Sequence, residues 1–432
     1  MNGDLKVPGD KSISHRALIL SAIAIGTTKI TNLLFSEDVI NTLNALKLMD
    51  VEIQIDDSNI VSVNGVGFCG LSAPKNIVDM GNSGTGVRLL MGLVASYNFY
   101  SFFTGDDSLR ARPMLRVIEP LMKMGTNFVT NDNKLPIALL GNDNLLPIEY
   151  TLPVASAQVK SVILLAALNI AGDTTIIEPI ATRDHTERMI DYFGGKINIT
   201  QNNKNNAKHI TVTGRQQLTA KDIFVAGDPS SAAFFTIAAL LIKGSNIKIL
   251  DICISPERIG IYQILLKMGA NIKFINQRTQ SGENVADIEV SYSNLQAIDI
   301  EAEFASNMID EYPIFAIAAA FANGTTRMYG LNELKVKESN RLQSIYDGLI
   351  ANKINAEIGD DYLVIHGSDI NDNNIGGGEV KTNSDHRIAM SFLILGMVAN
   401  QPVTIDDGGY IKTSFPNFIE LANSLGANIA QL

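Results

Sequence analysis

The sequence predicts an α/β protein: a two-domain, inside-out α/β barrel of six β-α-β-α-β-β repeats, with helices buried and sheets outside. Three observations carry that expectation. A pattern of polar start, apolar helix, small residue and β-rich strand recurs at roughly 70–80 residues, too long a period for a common solenoid unit. Several helical runs, 232–241 above all, are apolar on every side. They belong inside, which leaves strands of alternating pattern to form the walls. Finally, Val7-Pro8-Gly9-Asp10 is echoed by Val225-Ala226-Gly227-Asp228, with three copies of the pattern between the two tetrapeptides and three after the second.

Taken in order, the copies begin near Ser12, Ser83, Ser156, Ser230, Asp310 and Asp385, polar residues suited to starting a helix. Their apolar helices cover 17–25, 89–94, 162–168, 232–241, 314–321 and 388–398, and strands follow at 28–31, 174–177, 246–249 and 402–405. A second signature, an amphipathic helix running into another strand, occupies 46–55, 121–129, 190–199, 265–274, 348–358 and 421–429. Gly125, Gly269, Gly426 and the Gly194-Gly195 pair read as left-handed helix caps. The copies at Asp50 and Asn352 lack Gly, and Asn352 is a residue that tolerates positive φ. The echoed tetrapeptides divide the chain into a domain at 10–226 and a second made of 1–9 and 227–432, with a hinge near 7–10 and 225–228. The strand before Pro8 then belongs to the second domain. The stretch 201–206 and Gly376-Gly377-Gly378 read as surface hairpin tips.

Hydrophobic residues make up 46% of the 432 positions and charged ones 18%, which gives ample core and little sign of disorder. The net charge of −11 argues against a general nucleic-acid binder, so any anionic ligand must be drawn by local basic clusters. Cys69 and Cys253 lie far apart without a CxxC partner. Disulfides and thiolate metal sites are therefore not expected, and a reducing compartment fits. Met1-Asn2-Gly3-Asp4 offers neither a basic nor an apolar leader region, and the apolar runs fall short of a bilayer span. No signal peptide or membrane span is expected, and the expected location is the cytoplasm.

The richest stretch for chemistry is 7–16. A Pro8-Gly9 turn leads into Lys11, Ser12 and Arg16, and an apolar run follows. The free backbone N–H groups of the helix start point the same way as those side chains, which makes a place for a small anion. A solvated cap that happens to carry charge is the other reading. The spacing is not that of a nucleotide P-loop. Further cations stand at other helix starts: Arg88 after Gly81-Asn82-Ser83-Gly84-Thr85-Gly86, then Arg110, Arg112, Lys160, Arg183, Lys337, Arg341 and Arg387. Helix starts from both halves are expected to face one cleft, where arginine forks suit phosphate and carboxylate. For any single one, a surface ion pair is the alternative. The glycine-rich turn lets backbone approach a ligand closely. Asp310-Glu311, and Lys337-Glu338 with Arg341, offer an acid/base pair tuned by its neighbours, or else a capping Asp and an exposed helical ion pair. The five histidines show no HxxxH or HxH spacing, so no metal site is expected. A GxSxG elbow is absent, and neither cysteine sits where it would be activated.

In order along the chain stand PGDKSISHRA from Pro8, GNSGTGVRL from Gly81, RARPM from Arg110, ASAQVKS from Ala155, TRDHTE from Thr182, GDPSSAAF from Gly227, IDEYPIFA from Ile309, VKESNRL from Val336 and DHRIAM from Asp385. Over essentially the whole chain this set resembles the 5-enolpyruvylshikimate-3-phosphate synthase (3-phosphoshikimate 1-carboxyvinyltransferase) family, and its details resemble the glyphosate-tolerant branch. The resemblance implies two domains of three repeats each, closing over the ligands. It implies transfer of the carboxyvinyl group of phosphoenolpyruvate to the 5-hydroxyl of shikimate 3-phosphate with release of phosphate, in chorismate and aromatic amino acid biosynthesis. No metal or organic cofactor is implied, no nucleic acid or membrane partner, and a monomer is expected.

By the same resemblance, Lys11, Ser12, Arg16, Ser156, Ala157, Gln158, Arg183, Asp310 and Lys337 bind shikimate 3-phosphate. Lys11, Gly84, Arg112, Gln158, Arg341 and Arg387 bind phosphoenolpyruvate. Asp310 accepts the hydroxyl proton, and Lys11 and Glu338 exchange the proton at the vinyl carbon. Two departures stand out. Thr413 occupies the place where many members carry a Lys, with Lys412 one position off, and Gly84 stands where tolerant relatives often carry Ala. The sister family, UDP-N-acetylglucosamine enolpyruvyl transferase, is one alternative, but it usually carries a reactive loop Cys that Cys69 and Cys253 do not match. A catalytically inactive anion-binding relative is another, and the joint presence of Asp310, Lys337, Glu338 and Arg341 argues against it.

Overall fold

Six apolar helices take up the interior, and their burial sets the architecture. The computed structural model describes residues 1–202, 206–368 and 374–431. The chain divides into two compact units: one is Gly9–Ala226 with Thr279–Glu283, the other Met1–Pro8, Gly227–Arg278 and Asn284–Leu432.

In the 9–226 unit the inner helices are Lys11–Ala22, Gly84–Val94 and Ala157–Ala167. Each is buried along nearly its whole length, and apart from the buried Ser21 its polar positions lie in the first turns. Each also starts on an oxygen that satisfies a free backbone donor. Asp10 accepts from the Ile13 N–H at 2.9 Å, Ser83 from Gly86 at 3.3 Å and Ser156 from Val159 at 3.4 Å. Gly92 permits a close helix crossing, because a Cβ there would lie 2.6 Å from the Val162 carbonyl oxygen.

One pairing scheme recurs in the surrounding sheets. A short strand, Val78–Asp79, runs parallel to Tyr100–Thr104, which pairs antiparallel with Lys134–Leu140, itself antiparallel to Asn127–Asn131. Glu149–Thr151, Asp173–Glu178, Lys208–Thr213 and Ile197–Gln201 repeat it. In the first sheet the short strand comes from the end of the unit: Leu218–Thr219 and Ile223–Phe224 run parallel to Ala24–Thr31.

The other unit is built likewise around Pro229–Leu241, Tyr312–Ala320 and His386–Val398; every residue of the first two is buried. Its first short strand is Asn2–Leu5, parallel to Asn246–Cys253. Asp299–Ile300, Thr325–Met328, Leu363–His366 and Ala356–Ile358 repeat the full scheme. The sixth copy is reduced. Only Glu379–Val380 and Thr404–Ile405 pair, and among the described residues no strand follows the helix Phe418–Ser424, contrary to the expectation at 421–429. There Phe415 and Phe418 pack on Phe234 and Phe235 with ring centroids 5.5–5.9 Å apart. At about 0.5–1.5 kcal/mol per aromatic pair beyond burial, the C-terminal segment seals the core where strands are missing.

Two local expectations need correction. The αL residue after the helix Arg341–Ala351 is Lys353 (φ 64°), not Asn352. Asn352 is buried; its amide donates to Gly348 O at 2.9 Å and accepts from the Gly378 N–H at 3.1 Å, so its side chain is committed to the core. The glycine run 376–378 is likewise no surface tip. A Cβ at Gly376 would stand 2.3 Å from Gln401 O, and one at Gly378 2.3 Å from Ala351 O. Of the tip expected at 201–206, residues 203–205 lie outside the described residues. Among the described residues, no helix is long and apolar enough to cross a membrane.

Candidate active site

The cations of the 9–226 unit fall into two groups. The first surrounds the start of Lys11–Ala22. Lys11, the first helical residue, is ion-paired with the nearly buried Asp38. Arg16 is 2% exposed, yet among the described residues no carboxylate bonds to it. Its Nε donates to Thr186 Oγ1 at 2.6 Å, one terminal nitrogen to the Ser12 carbonyl at 2.8 Å and the other to Ser161 Oγ at 2.7 Å. The hydroxyls are chained: Thr186 donates to Ser161 at 2.7 Å, and Ser161 to the Ala157 carbonyl at 2.7 Å. Arg16 is therefore held by neutral partners, while Glu187, Asp10 and Glu283 favour its charge without bonding to it. Burial pulls its guanidinium down to about 10, with Arg183 pushing the same way and Glu187 and Asp10 opposing. It stays protonated at neutral pH. Burial, with Lys11 and Arg16 nearby, also holds His15 well below the ordinary imidazole range, so His15 is neutral. Ser156, Ala157 and Gln158 are half-buried at the start of their helix, as is Arg183 just before the helix His185–Tyr192.

The second group gathers around Gly84. Arg88 donates to the Gly84 carbonyl at 3.1 Å and to Gln158 Oε1 at 2.9 Å, and Gln158 Nε2 donates to Thr85 Oγ1 at 3.0 Å. Arg112 donates to Asn82 Oδ1 at 2.7 Å and to Ser108 Oγ at 3.2 Å. A Cβ on Gly84 would stand 3.1 Å from a guanidinium nitrogen of both Arg88 and Arg112. Bare backbone thus lies directly beside two arginines, a geometry that admits a small carboxylate or phosphate.

Two of the sequence's cations do not join these groups. Arg110 is exposed and ion-paired with Asp107 on the surface. Lys160 is 0% exposed, with its ammonium 2.8 Å from carboxylate oxygens of both Glu178 and Glu187. It faces carboxylates of its own chain, not a ligand.

The other unit carries a cluster of opposite character. Arg341, fully buried, donates from Nε to Asp385 Oδ2 at 2.8 Å, and its terminal nitrogens reach Asp310 Oδ1 at 3.2 Å and Glu338 Oε2. Burial disfavours the guanidinium charge, but Asp385, Glu338 and Asp310 together hold it well above its ordinary range. Arg387 donates to the Asp310 carbonyl at 3.0 Å and lies 3.9 Å from Glu311. Glu311 accepts from Ser230, which also accepts from Arg258 at 3.2 Å. The N-cap residue of the helix Tyr312–Ala320 is Glu311, which makes no side-chain cap bond, and Arg341 is buried, so the reading of an exposed helical ion pair falls. Lys337 and Glu338 precede the helix and are half-buried. Lys412 is exposed, while Thr413 is buried and donates to the Tyr410 carbonyl at 2.7 Å.

The sequence motifs agree with what comparison finds. The model of the EPSP synthase (3-phosphoshikimate 1-carboxyvinyltransferase) family matches residues 1–421. The chain belongs to the EPSP synthase family. A 3-phosphoshikimate 1-carboxyvinyltransferase of Paramagnetospirillum magneticum is 52% identical to it, over 99% of this chain and 96% of the relative. One of Rhodospirillum rubrum is 48% identical, over 100% and 96%. Among solved structures, EPSP synthase from Acinetobacter baumannii matches with a TM-score of 0.88 and 41% identity, over 100% of this chain and 97% of that one. The enolpyruvyl transferase NikO of Streptomyces tendae, at 16% identity and TM-score 0.75, shares the fold.

Sequence reasoning did not single out Asn82, Thr85, Ser161, Thr186 or Asp385 as partners of the EPSP synthase arginines. Asp385 is 44 positions from Arg341, and Thr186 is 170 from Arg16. Ser161 and Thr186 leave no trace beyond membership of quoted motifs, while Asp385 stands out only as the start of a repeat and Asn82 and Thr85 only as members of the glycine-rich turn.

Proposed function

We propose that this chain transfers the carboxyvinyl group of phosphoenolpyruvate to the 5-hydroxyl of shikimate 3-phosphate and releases inorganic phosphate. The observation that carries this reading is Arg16: a buried arginine held by hydroxyls and a carbonyl, with a second cation, Arg183, near enough to repel it. Such a pair calls for a multiply charged anion. Lys11, Ser12, Arg16, Ser156, Ala157, Gln158 and Arg183 bind shikimate 3-phosphate, with Asp310 and Lys337. Gly84, Arg112, Gln158, Lys11, Arg341 and Arg387 bind phosphoenolpyruvate.

In the reaction, the 5-hydroxyl oxygen bonds to the carbon bearing phosphate and gives its proton to Asp310, while the vinyl CH2 gains a proton. The tetrahedral intermediate then loses that methyl proton and the C–O bond to phosphate, restoring the double bond. Lys11 and Glu338 carry the proton to and from that carbon. The carboxylate-rich surroundings of Arg341 support this role, since neighbouring acids of one sign set one another's proton affinity. A phosphate-release assay tests the reading. Release with shikimate 3-phosphate and none with UDP-N-acetylglucosamine is expected; release only with the nucleotide sugar, or with neither, contradicts it.

The same reading assigns the chain to the glyphosate-tolerant branch, acting as a monomer in the cytoplasm. Gly84 leaves room beside Arg88 and Arg112. Gly84→Ala is expected to weaken glyphosate inhibition by about tenfold, the equivalent of ~1.4 kcal/mol of crowding, with a smaller rise in the KM for phosphoenolpyruvate. Equal inhibition of the two proteins contradicts this.

A further inference from the structure

We propose that Lys160 is a positioning residue for the phosphate end of shikimate 3-phosphate, an inference that rests on Arg16 and Arg183 holding that phosphate. Its ammonium touches three pieces of chain at once: Glu178 Oε1 at 2.8 Å, Glu187 Oε1 at 2.8 Å and the Thr182 carbonyl at 3.3 Å. Glu178 also accepts from the Thr182 N–H at 3.1 Å and from its hydroxyl at 2.5 Å. One buried cation thus ties the helix Ala157–Ala167 to the end of the strand Asp173–Glu178, to the turn at Thr182 and to the first turn of His185–Tyr192.

The anchors and the ligand-facing groups are neighbours in sequence. Ser161, which accepts from Arg16, follows Lys160. Arg183 follows Thr182. Thr186, the other hydroxyl that accepts from Arg16, precedes Glu187. Fixing the three anchors therefore fixes the three groups that set where the two guanidinium groups stand. The charges matter as well as the contacts. One ammonium sits with two carboxylates behind a pair of like-charged arginines; burial pushes the proton affinity of Glu187 up, and Glu187 favours the charged form of Arg16 where Arg183 disfavours it. An apolar filling of the same space would be cheaper in desolvation, but it would supply neither the directional contacts nor that compensating charge.

The test replaces one cation and one anion together, with Lys160→Met and Glu187→Gln in the same chain, so that the net charge of the cluster is unchanged and Glu178 keeps its bonds from the Thr182 N–H and hydroxyl. Calorimetry measures the affinity for shikimate 3-phosphate and for shikimate, which lacks the phosphate; initial rates give the KM for phosphoenolpyruvate. The double variant is expected to lose about tenfold or more in affinity for shikimate 3-phosphate, as a misplacement of about 1 Å can cost. Affinity for shikimate and the KM for phosphoenolpyruvate should stay within about twofold, well below that misplacement cost. A folded double variant that keeps the full advantage of shikimate 3-phosphate over shikimate overturns the proposal. If that variant does not fold, Glu187→Gln alone is measured: a reduced advantage supports the proposal and an unchanged one overturns it. Arg16→Met, measured alongside, separates the two levels. If it leaves the phosphate advantage intact, the reading of the phosphate site itself fails; if it abolishes the advantage while the Lys160 variants do not, only this inference fails.

Discussion

Arg16 and Arg341 are both buried arginines near the start of a helix, but they are held in opposite ways. Arg16 rests on two hydroxyls and a carbonyl; Arg341 rests on Asp310, Glu338 and Asp385. Neutral partners fix a guanidinium without cancelling its charge, so Arg16 is available to an anion. Carboxylate partners cancel it, and the positive charge in turn stabilises several acids at close quarters. On the proposed reading the two regions divide the work: one attracts and orients phosphate, the other holds carboxylates that exchange protons.

The sharpest way to break this comparison is to make the same substitution in both places. Arg341→Met removes the shared cation from three acids, one of them, Asp385, fully buried. The expected loss of stability is about 3–5 kcal/mol, read from the denaturant midpoint; a loss under about 1 kcal/mol, the scale of a surface pair, contradicts the assignment. Arg16→Met leaves only hydroxyls and a carbonyl to find new partners, and should cost about 1–3 kcal/mol. If Arg16→Met proves the more destabilising of the two, the contrast fails.

A smaller effect concerns pH. His15 is buried and its folded pKa lies below the unfolded value of 6.5. Its contribution is present above pH 6.5 and is lost as pH falls toward the folded value, because the unfolded chain takes up the proton first. Stability should fall by up to about 1.4 kcal/mol per pH unit below 6.5 from this group. Comparing wild type with His15→Asn isolates it, and equal slopes contradict it.

Much of this was legible in the chain itself. The inner helices, their polar caps and most glycine stops follow from local periodicity and turn chemistry, which depend only on near neighbours. What was not legible depends on distant partners. Lys160 sits at a helix start like the other cations, and nothing in its spacing shows that Glu178 and Glu187 close over it. Lys353 takes the left-handed position, while Asn352 is bonded to Gly378, 26 positions away. The reduced sixth sheet was hidden because 421–429 keeps the apolar pattern of the other copies while the aromatic contacts of Phe415 and Phe418 do the closing.

The most direct measurement is steady-state kinetics of Asp310→Asn and Arg16→Met side by side. The division of work predicts that Asp310→Asn loses about 10²–10⁴-fold in kcat while its KM for shikimate 3-phosphate changes little, and that Arg16→Met raises that KM far more than it lowers kcat. Asp310→Asn with near-normal turnover, or the same loss of substrate affinity in both variants, would contradict it.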